Sequence, residues 1–257
     1  MYSSEGKALR EVELPRQFSA PVRFDLISRA AISDQTAHYQ PKGNDPRAGM
    51  ETSARYRGRK EDFGSGKNKG TASRPREVLP KGRLGKVKRI PSAVKGRRAH
   101  PPHVNKVIFE KINKKEYRLA LISAIAATAD SGAVAARGHK LPTGAKVPFV
   151  LDNSFEKVSK TKDAYKTLSL LFGADLARCE KPRQRTGVRA RKGGKVYPKS
   201  AIIAVSSDSP VLNAARNIAG IDIMKVSDLS VELLAPGTKA GRLAVYTEAA
   251  LAEIAKL

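Results

Sequence analysis

The chain has 257 residues, with 49 Lys and Arg against 24 Asp and Glu, a formal net charge of +25. A cationic excess of that size attracts polyanions and opposes self-association, so nucleic acid, whose phosphates release counterions on neutralisation, is the expected partner. A single Cys, Cys179, excludes an internal disulfide and fits a reducing compartment. Met1–Pro15 has no signal-peptide core and no run of about 18 apolar residues exists, so a soluble intracellular protein is expected.

Taken in chain order, Tyr2–Leu14 reads as a short hairpin turning near Glu5-Gly6. Asp25–Gln40 reads as a helix with Leu26, Ile27, Ala30 and Ala31 on one face. A stronger helix is predicted after Asn113, an N-cap with Glu116 three residues on, as in a capping box. It continues through Leu119, Ile122, Ile125 and Ala126, with Gly132 just beyond its end. Val147–Asp152 is a buried-strand pattern. The next helix carries Ala164, Leu168, Leu171 and Phe172 and is predicted to end at Gly173. Ala201–Ser206 is an apolar strand. Ser209 and Pro210 signal a helix using Leu212, Ala215 and Ile218, stopped at Gly220. Ile221–Val226 and Leu243–Tyr246 are the remaining strands, and Thr247 opens a final helix through Leu251 and Ile254. Apolar strands spaced by single helices predict an α/β fold, a three-layer domain with a mainly parallel central sheet.

The charge is concentrated outside this pattern. Pro41–His103 holds 18 Lys and Arg but only five acids, with nine Gly and seven Pro, and its large aliphatics (Val78, Leu79, Leu84, Val87, Ile90, Val94) keep no period. Lys181–Lys199 holds eight basic residues and no acid, leaving the rest of the chain at only +4. A segment so poor in apolar surface is either a disordered loop or a long extended internal basic arm ordered by its partner. The arm reading divides the chain into a globular domain, 1–40 with 104–257, and an inserted arm, 41–103. Against RNA its cations meet phosphates, its glycines allow close backbone approach, and its prolines reduce the entropy lost on ordering.

The candidate RNA-binding residues follow from the two blocks. Arg55, Arg57 and Arg59 alternate and would project on one side of an extended chain. Tyr56 and Phe63 offer stacking faces for bases. Lys67, Lys69, Arg74, Arg76, Lys81, Arg83, Lys86, Lys88, Arg89 and Lys95 continue the run. Arg97 and Arg98 add guanidinium forks, and His100 an imidazole for bases or phosphates. The second block contributes Arg183, Arg185, Arg189, Arg191, Lys192 and Lys195. The blander reading of each block is a solubilising or localising charge run.

Enzyme chemistry is harder to find. Gly64–Thr71 resembles a phosphate loop, but Gly70 is followed by Thr71 where Lys and then Ser or Thr are needed, and no apolar strand precedes it. His38, His100, His103 and His139 form no ligand set with metal spacing, and Cys179 has no local partner. Asp152 and Asp208 lie near strand ends without a second catalytic group, and Ser206-Ser207-Asp208-Ser209 fits helix capping better than a ligand site. No cofactor or metal is implied, and no catalytic residue.

The run Gly96-Arg97-Arg98-Ala99-His100-Pro101-Pro102 resembles the stretch leading back from the arm in the family of the fourth protein of the large ribosomal subunit, archaeal and eukaryotic type. Further stretches resemble the same family in the same order: Ala126-Ala127-Thr128-Ala129-Asp130, Arg137-Gly138-His139, Ala214-Ala215-Arg216-Asn217 with Ala219-Gly220, Leu234-Ala235-Pro236-Gly237, and Gly241-Arg242-Leu243 with Thr247-Glu248. The resemblance implies a three-layer α/β domain with a long arm and binding to large-subunit ribosomal RNA. It further implies a cytoplasmic role in early subunit assembly and an arm tip that helps line the peptide exit tunnel. The nascent peptide and neighbouring ribosomal proteins, the twenty-second included, are implied contacts, and no membrane. Members usually carry a Trp-Gly pair and a Gly-Arg-Gly run at the start of the arm tip. This chain has no Trp and reads Arg55-Tyr56-Arg57-Gly58, then Gly64-Ser65-Gly66-Lys67, so the residues reaching the tunnel wall stay open. The end at Leu257, without the eukaryotic extension, points to an archaeal source. The alternatives are an RNA-modifying enzyme of nucleotide-binding fold that grips substrate with the basic segments, and a DNA-packaging protein.

Overall fold

The computed structural model describes every residue except Thr143, and the Lys192 side chain also lies outside the description. In chain order the elements are α1 (Phe24–Ala37), β1 (Arg76–Val78), β2 (Leu84–Val87), α2 (Lys114–Ala129), α3 (Ser131–Ala136), β3 (Phe149–Leu151) and α4 (Thr161–Glu180). Then come β4 (Arg183–Gln184), β5 (Lys195–Val196), β6 (Ile202–Val205), α5 (Val211–Ala215), β7 (Asp222–Lys225), α6 (Val231–Leu234), β8 (Ala244–Thr247) and α7 (Glu248–Ile254). The chain divides into two units, Met1–His38 with Phe109–Leu257, here called the body, and Tyr39–Ile108.

In the body, β3, β8, β6 and β7 form, in that spatial order, a four-stranded parallel sheet. Its register sorts the side chains. Phe149, Val245, Ile203 and Ile223 stand abreast and enter one apolar cluster with Leu168, Leu171, Phe172 and Leu176 of α4 and Val211 of α5. Displaced by one residue, Val150, Tyr246 and Ala204 face the opposite cluster, with Ile27 and Ala31 of α1, Ile125 of α2 and Ile254 of α7. Side chains alternate across a strand with period two, so near-continuous apolar strands dictate helices on both faces. The body is therefore the mainly parallel three-layer α/β fold expected.

Several local expectations are corrected. Gly173 does not stop α4: the backbone distorts at Phe172 (φ −145°, ψ 44°) and the helix continues to Glu180, because Asp175, Leu176 and Cys179 beyond it are buried. A glycine costs only about 1 kcal/mol in a helix, less than burying one more leucine returns. Asn113 sits at the N-cap of α2 without a side-chain bond, and Glu116 instead pairs with Arg29 of α1 at 2.6 Å. Ser209 Oγ caps nothing; it is buried without a hydrogen-bond partner, and α5 is a five-residue turn opening at Val211. The N-terminal hairpin shrinks to a turn bridging Tyr2 to Ala8, and Tyr2 also bridges Leu151 along the sheet edge. Thr247 does cap α7, accepting from Ala250 N at 3.2 Å.

Tyr39–Ile108 is built differently. β1 and β2 form an antiparallel pair, and Arg55 bridges Arg76 on the other side of β1. The outgoing and returning limbs touch at glycines: a methyl group on Gly49 would lie 2.5 Å from Arg97 N. Among the described residues, Ala54 and Ser65 alone are buried in this unit. It has hydrogen bonds but no core.

Candidate nucleic-acid interface

Ion pairing separates the two units sharply. Among the described residues, every Lys or Arg paired with a carboxylate belongs to the body. None of the basic side chains of Tyr39–Ile108 is so paired, and none of Arg183, Arg185, Arg189, Arg191 or Lys195 is. Their charge is left for something outside the chain to neutralise.

Arg55, Arg59, Lys67, Lys69, Arg74, Lys81, Arg83, Lys86, Lys95, Arg97, Arg98 and His100 are exposed, while Arg57, Arg76, Lys88 and Arg89 are half-buried. Four of these cations bind their own unit. Arg57 Nη1 donates to Phe63 O, Arg74 Nη1 to Ser92 Oγ at 3.0 Å, Lys88 Nζ to Val94 O at 3.2 Å, and Arg89 Nη1 to Ala54 O at 3.1 Å. With no apolar core, such side-chain bonds set the unit's local shape. Arg55, Arg57, Arg74 and Arg76 are brought together around one cleft; Arg59 is not among them. Tyr56 (54 % exposed) and Phe63 (76 % exposed) leave ring faces open.

The second block folds into a small antiparallel ladder, Arg183 opposite Val196 and Gln184 opposite Lys195, around a 3-10 turn at Gly187–Lys192. Arg183, Arg185 and Arg189 line a common surface cleft. Arg189, Arg191 and Lys195 are exposed; the side chain of Lys192 lies outside the description. Sequence reading passed over Lys42, Arg47, Lys60 and Lys106, which are exposed on Tyr39–Ile108 and equally unpaired. The signal was available, since any base in a stretch with so few acids lacks a partner.

The body's own polar groups at the two ends of the sheet are engaged with one another. At the carboxyl edge of the sheet, where open α/β sheets take ligands, Glu156 accepts from Ser206 N (3.1 Å) and Thr247 Oγ1 (2.6 Å). Asn153 Oδ1 accepts from Ala249 N at the start of α7. Asp152 accepts from Ser154 N, and Asp208 pairs with Lys225 at 2.8 Å. At the opposite edge, Asp175 is fully buried and accepts from His139 Nδ1 (3.1 Å), Ser200 Oγ (2.6 Å), Arg178 Nε (3.0 Å) and Lys140 N (3.0 Å). Burial would push this carboxyl up; the donors outweigh it and hold it well below the usual carboxylate range. Although it groups Ser, His and Asp, the arrangement is no nucleophilic triad: Ser200 Oγ donates to Asp175, and His139 Nε2 accepts from Leu243 N at 3.3 Å. Burial pushes the Cys179 thiol up, away from the thiolate that reacts.

The residues that carried the resemblance within the body are fastened into this framework. Arg137 donates to Lys239 O and Pro236 O, Thr128 Oγ1 meets Tyr246 Oη at 3.1 Å, and Asp130 caps α3 through Gly132 N. Residues 12–257 match the family described as ribosomal protein L4/L1. The large ribosomal subunit protein uL4 of Methanosphaera stadtmanae is 42% identical over 262 residues, covering 100% of this chain and 96% of the relative. The protein of the same name from Haloquadratum walsbyi is 41% identical over 258 residues, covering 99% and 98%. That of Haloarcula marismortui is 40% identical over 257 residues, covering 100% and 98%. The chain belongs to the ribosomal protein L4/L1 family.

Proposed function

We propose that this protein, an archaeal-type family member, is a structural constituent of the large ribosomal subunit in the cytoplasm. In this reading 41–103 is an arm that enters folded ribosomal RNA, borne by a globular domain of 1–40 and 104–257. One observation carries it: a unit with 19 Lys and Arg and five acids buries only two small residues and, among the described residues, forms no internal ion pair. Such a unit lacks the apolar burial to offset its ordering entropy, whereas phosphates would supply both neutralisation and a mould. The cations of Arg183–Lys195 add a second contact. Neighbouring ribosomal proteins, the twenty-second included, and a nascent peptide near the arm tip are further contacts. The likeness of Gly96–Pro102 to the family supports them, as do the open rings of Tyr56 and Phe63.

The test is removal of Pro41–His103. The body offers a closure point, since Glu110 N donates to Thr36 Oγ1 at 3.0 Å, so the excursion leaves and rejoins at adjacent positions. The shortened chain should stay folded, bind large-subunit RNA far more weakly, and show a shallower dependence of affinity on salt, each lost phosphate contact removing roughly 0.7–0.9 from the slope. An unchanged slope would show that the arm is not the main phosphate contact.

A further inference from the structure

Resting on the reading of the protein as RNA-binding, a groove in the body takes on a more specific task. Tyr165 and Glu180 both belong to α4, and in a straight helix their spacing would set them about 22 Å apart. Tyr165 Oη nevertheless donates to Glu180 Oε1 at 2.7 Å, because α4 bends back at Phe172. The two limbs, 161–171 and 173–180, and the turn before β7 line a groove of about 300 Å³ floored by Leu176, Ile218 and Ala219. One water occupies roughly 30 Å³, so the two rings of a purine have room there.

The charges of this groove are mixed in a telling way. Glu180 is exposed, yet among the described residues it accepts only from Tyr165, and the nearby Arg178 turns to Asp175 instead. Around it the rim is cationic: Lys162 lines the groove, Lys181 follows Glu180 directly, and Arg183 opens the β4–β5 ladder. Such a rim repels a basic peptide and draws a polyanion, whereas the carboxylate within repels a bare phosphate. A nucleotide of single-stranded RNA satisfies both, with its phosphates on the rim and its base donating to the carboxylate. Guanine alone presents two adjacent donors, N1–H and N2–H, on its pairing edge. Adenine and cytosine set a ring acceptor beside the amino group, and uracil flanks its single N–H with carbonyls. Tyr165, 39 % exposed, adds a ring against which a base can stack.

We infer that this groove reads one unpaired guanine of RNA, its pairing edge donating to Glu180 while Lys162 and the β4–β5 ladder hold the flanking phosphates. The bend in α4 makes the site, since it brings Glu180 to Tyr165. The basic segments neutralise RNA of any sequence, and this carboxylate lets the body discriminate.

The experiment measures binding of the full chain to a short labelled oligouridine carrying one guanosine, and to the same oligomer with inosine in its place. Inosine lacks the N2 donor, so the unaltered chain should prefer guanosine about tenfold, the worth of a hydrogen bond to a charged acceptor. Glu180→Gln should reduce that preference to about threefold or less, a neutral acceptor being roughly half as strong. Glu13→Gln, which removes an exposed carboxylate of the N-terminal segment, should keep it. Both replaced side chains are exposed, so the core is undisturbed. Equal affinity of the unaltered chain for the two oligomers, or a preference that survives Glu180→Gln, would overturn the guanine site and leave the RNA reading standing. Binding to neither oligomer would overturn both. Guanosine monophosphate bound as tightly as the oligomer would assign the groove to a free nucleotide and overturn the RNA assignment. A labelled Lys-rich peptide bound by the unaltered chain but not by Glu180→Gln would assign it to a basic protein segment and overturn the base.

Discussion

Arg242 Nη2 stands 2.6 Å from Asp222 Oδ2, with the arginine side chain fully buried. Its Nε donates to Ser200 O (2.7 Å) and Nη1 to Leu233 O (2.8 Å), while Nη2 also approaches Ala201 O and Gly220 O (both 3.3 Å), so one cation ties the loops before β6, β7 and β8 to the end of α6. Asp222 is held below the usual carboxylate range, because the charges of Arg242 and Lys199 outweigh the upward push of burial. Among the described residues it is the only arginine that is fully buried.

Replacing it by methionine leaves Asp222 with Lys199 alone and strips Ser200 O and Leu233 O of the donors that Arg242 supplies. Arg242→Met should destabilise the body by about 3–5 kcal/mol, the usual cost of breaking a buried pair from one side. A urea unfolding curve measures this, and Arg242→Lys should recover only a minor part, since an ammonium lacks the fork. A change below about 1 kcal/mol would contradict the structural role.

Asp175 predicts an acid limb. A carboxylate held below its ordinary value stabilises the fold above that value, and the contribution is withdrawn as pH falls below about 4. The melting temperature of the full chain should therefore fall steeply between about pH 4 and 2. Asp175→Asn should be less stable at neutral pH and show a flatter acid limb.

Gly241 and Gly49 permit a clean contrast. Gly241 has φ +83°, and a methyl group there would lie 2.6 Å from the carbonyl carbon of Ala133 in α3. Gly241→Ala should cost the body about 2–4 kcal/mol from left-handed strain and overpacking together, read from its melting temperature.

Gly49, with φ +78°, meets Gly96 and Arg97 of the returning limb instead. Gly49→Ala should leave body melting unchanged and weaken RNA binding several-fold by prising the limbs apart. Loss of body stability with intact RNA binding would reverse this assignment.

The body was legible in the sequence because continuous apolar strands and helical spacing report burial, and burial decides a three-layer fold. Runs such as Ala201–Ser206 have no other use. Helix ends were less legible: Glu116, Ser209 and Gly173 are the right residues for caps and stops, but an ion pair with Arg29, a five-residue turn and a buried second half of α4 took precedence. The basic segments were legible as charge and opaque as shape. Nothing in their composition announces that Arg55 faces Arg76 or that Gly49 meets Gly96, because those pairings depend on backbone bonds that leave no periodic mark. The resemblance motifs of the body turned out to be joinery. Arg137, His139 and Arg242 hold loops together.

A unit with two buried residues is also a unit that proteases can enter. Tyr39–Ile108 presents 19 Lys and Arg on a backbone with almost nothing packed over it, whereas cleavage of a body with two apolar clusters requires local opening. Trypsin should cut the free protein first within this stretch and within the exposed Arg183–Lys195 segment, sparing the helices and strands around the two clusters, and bound RNA should abolish the difference. The same lack of packing that opens this stretch to RNA thus makes the unbound copy the one most open to proteolysis.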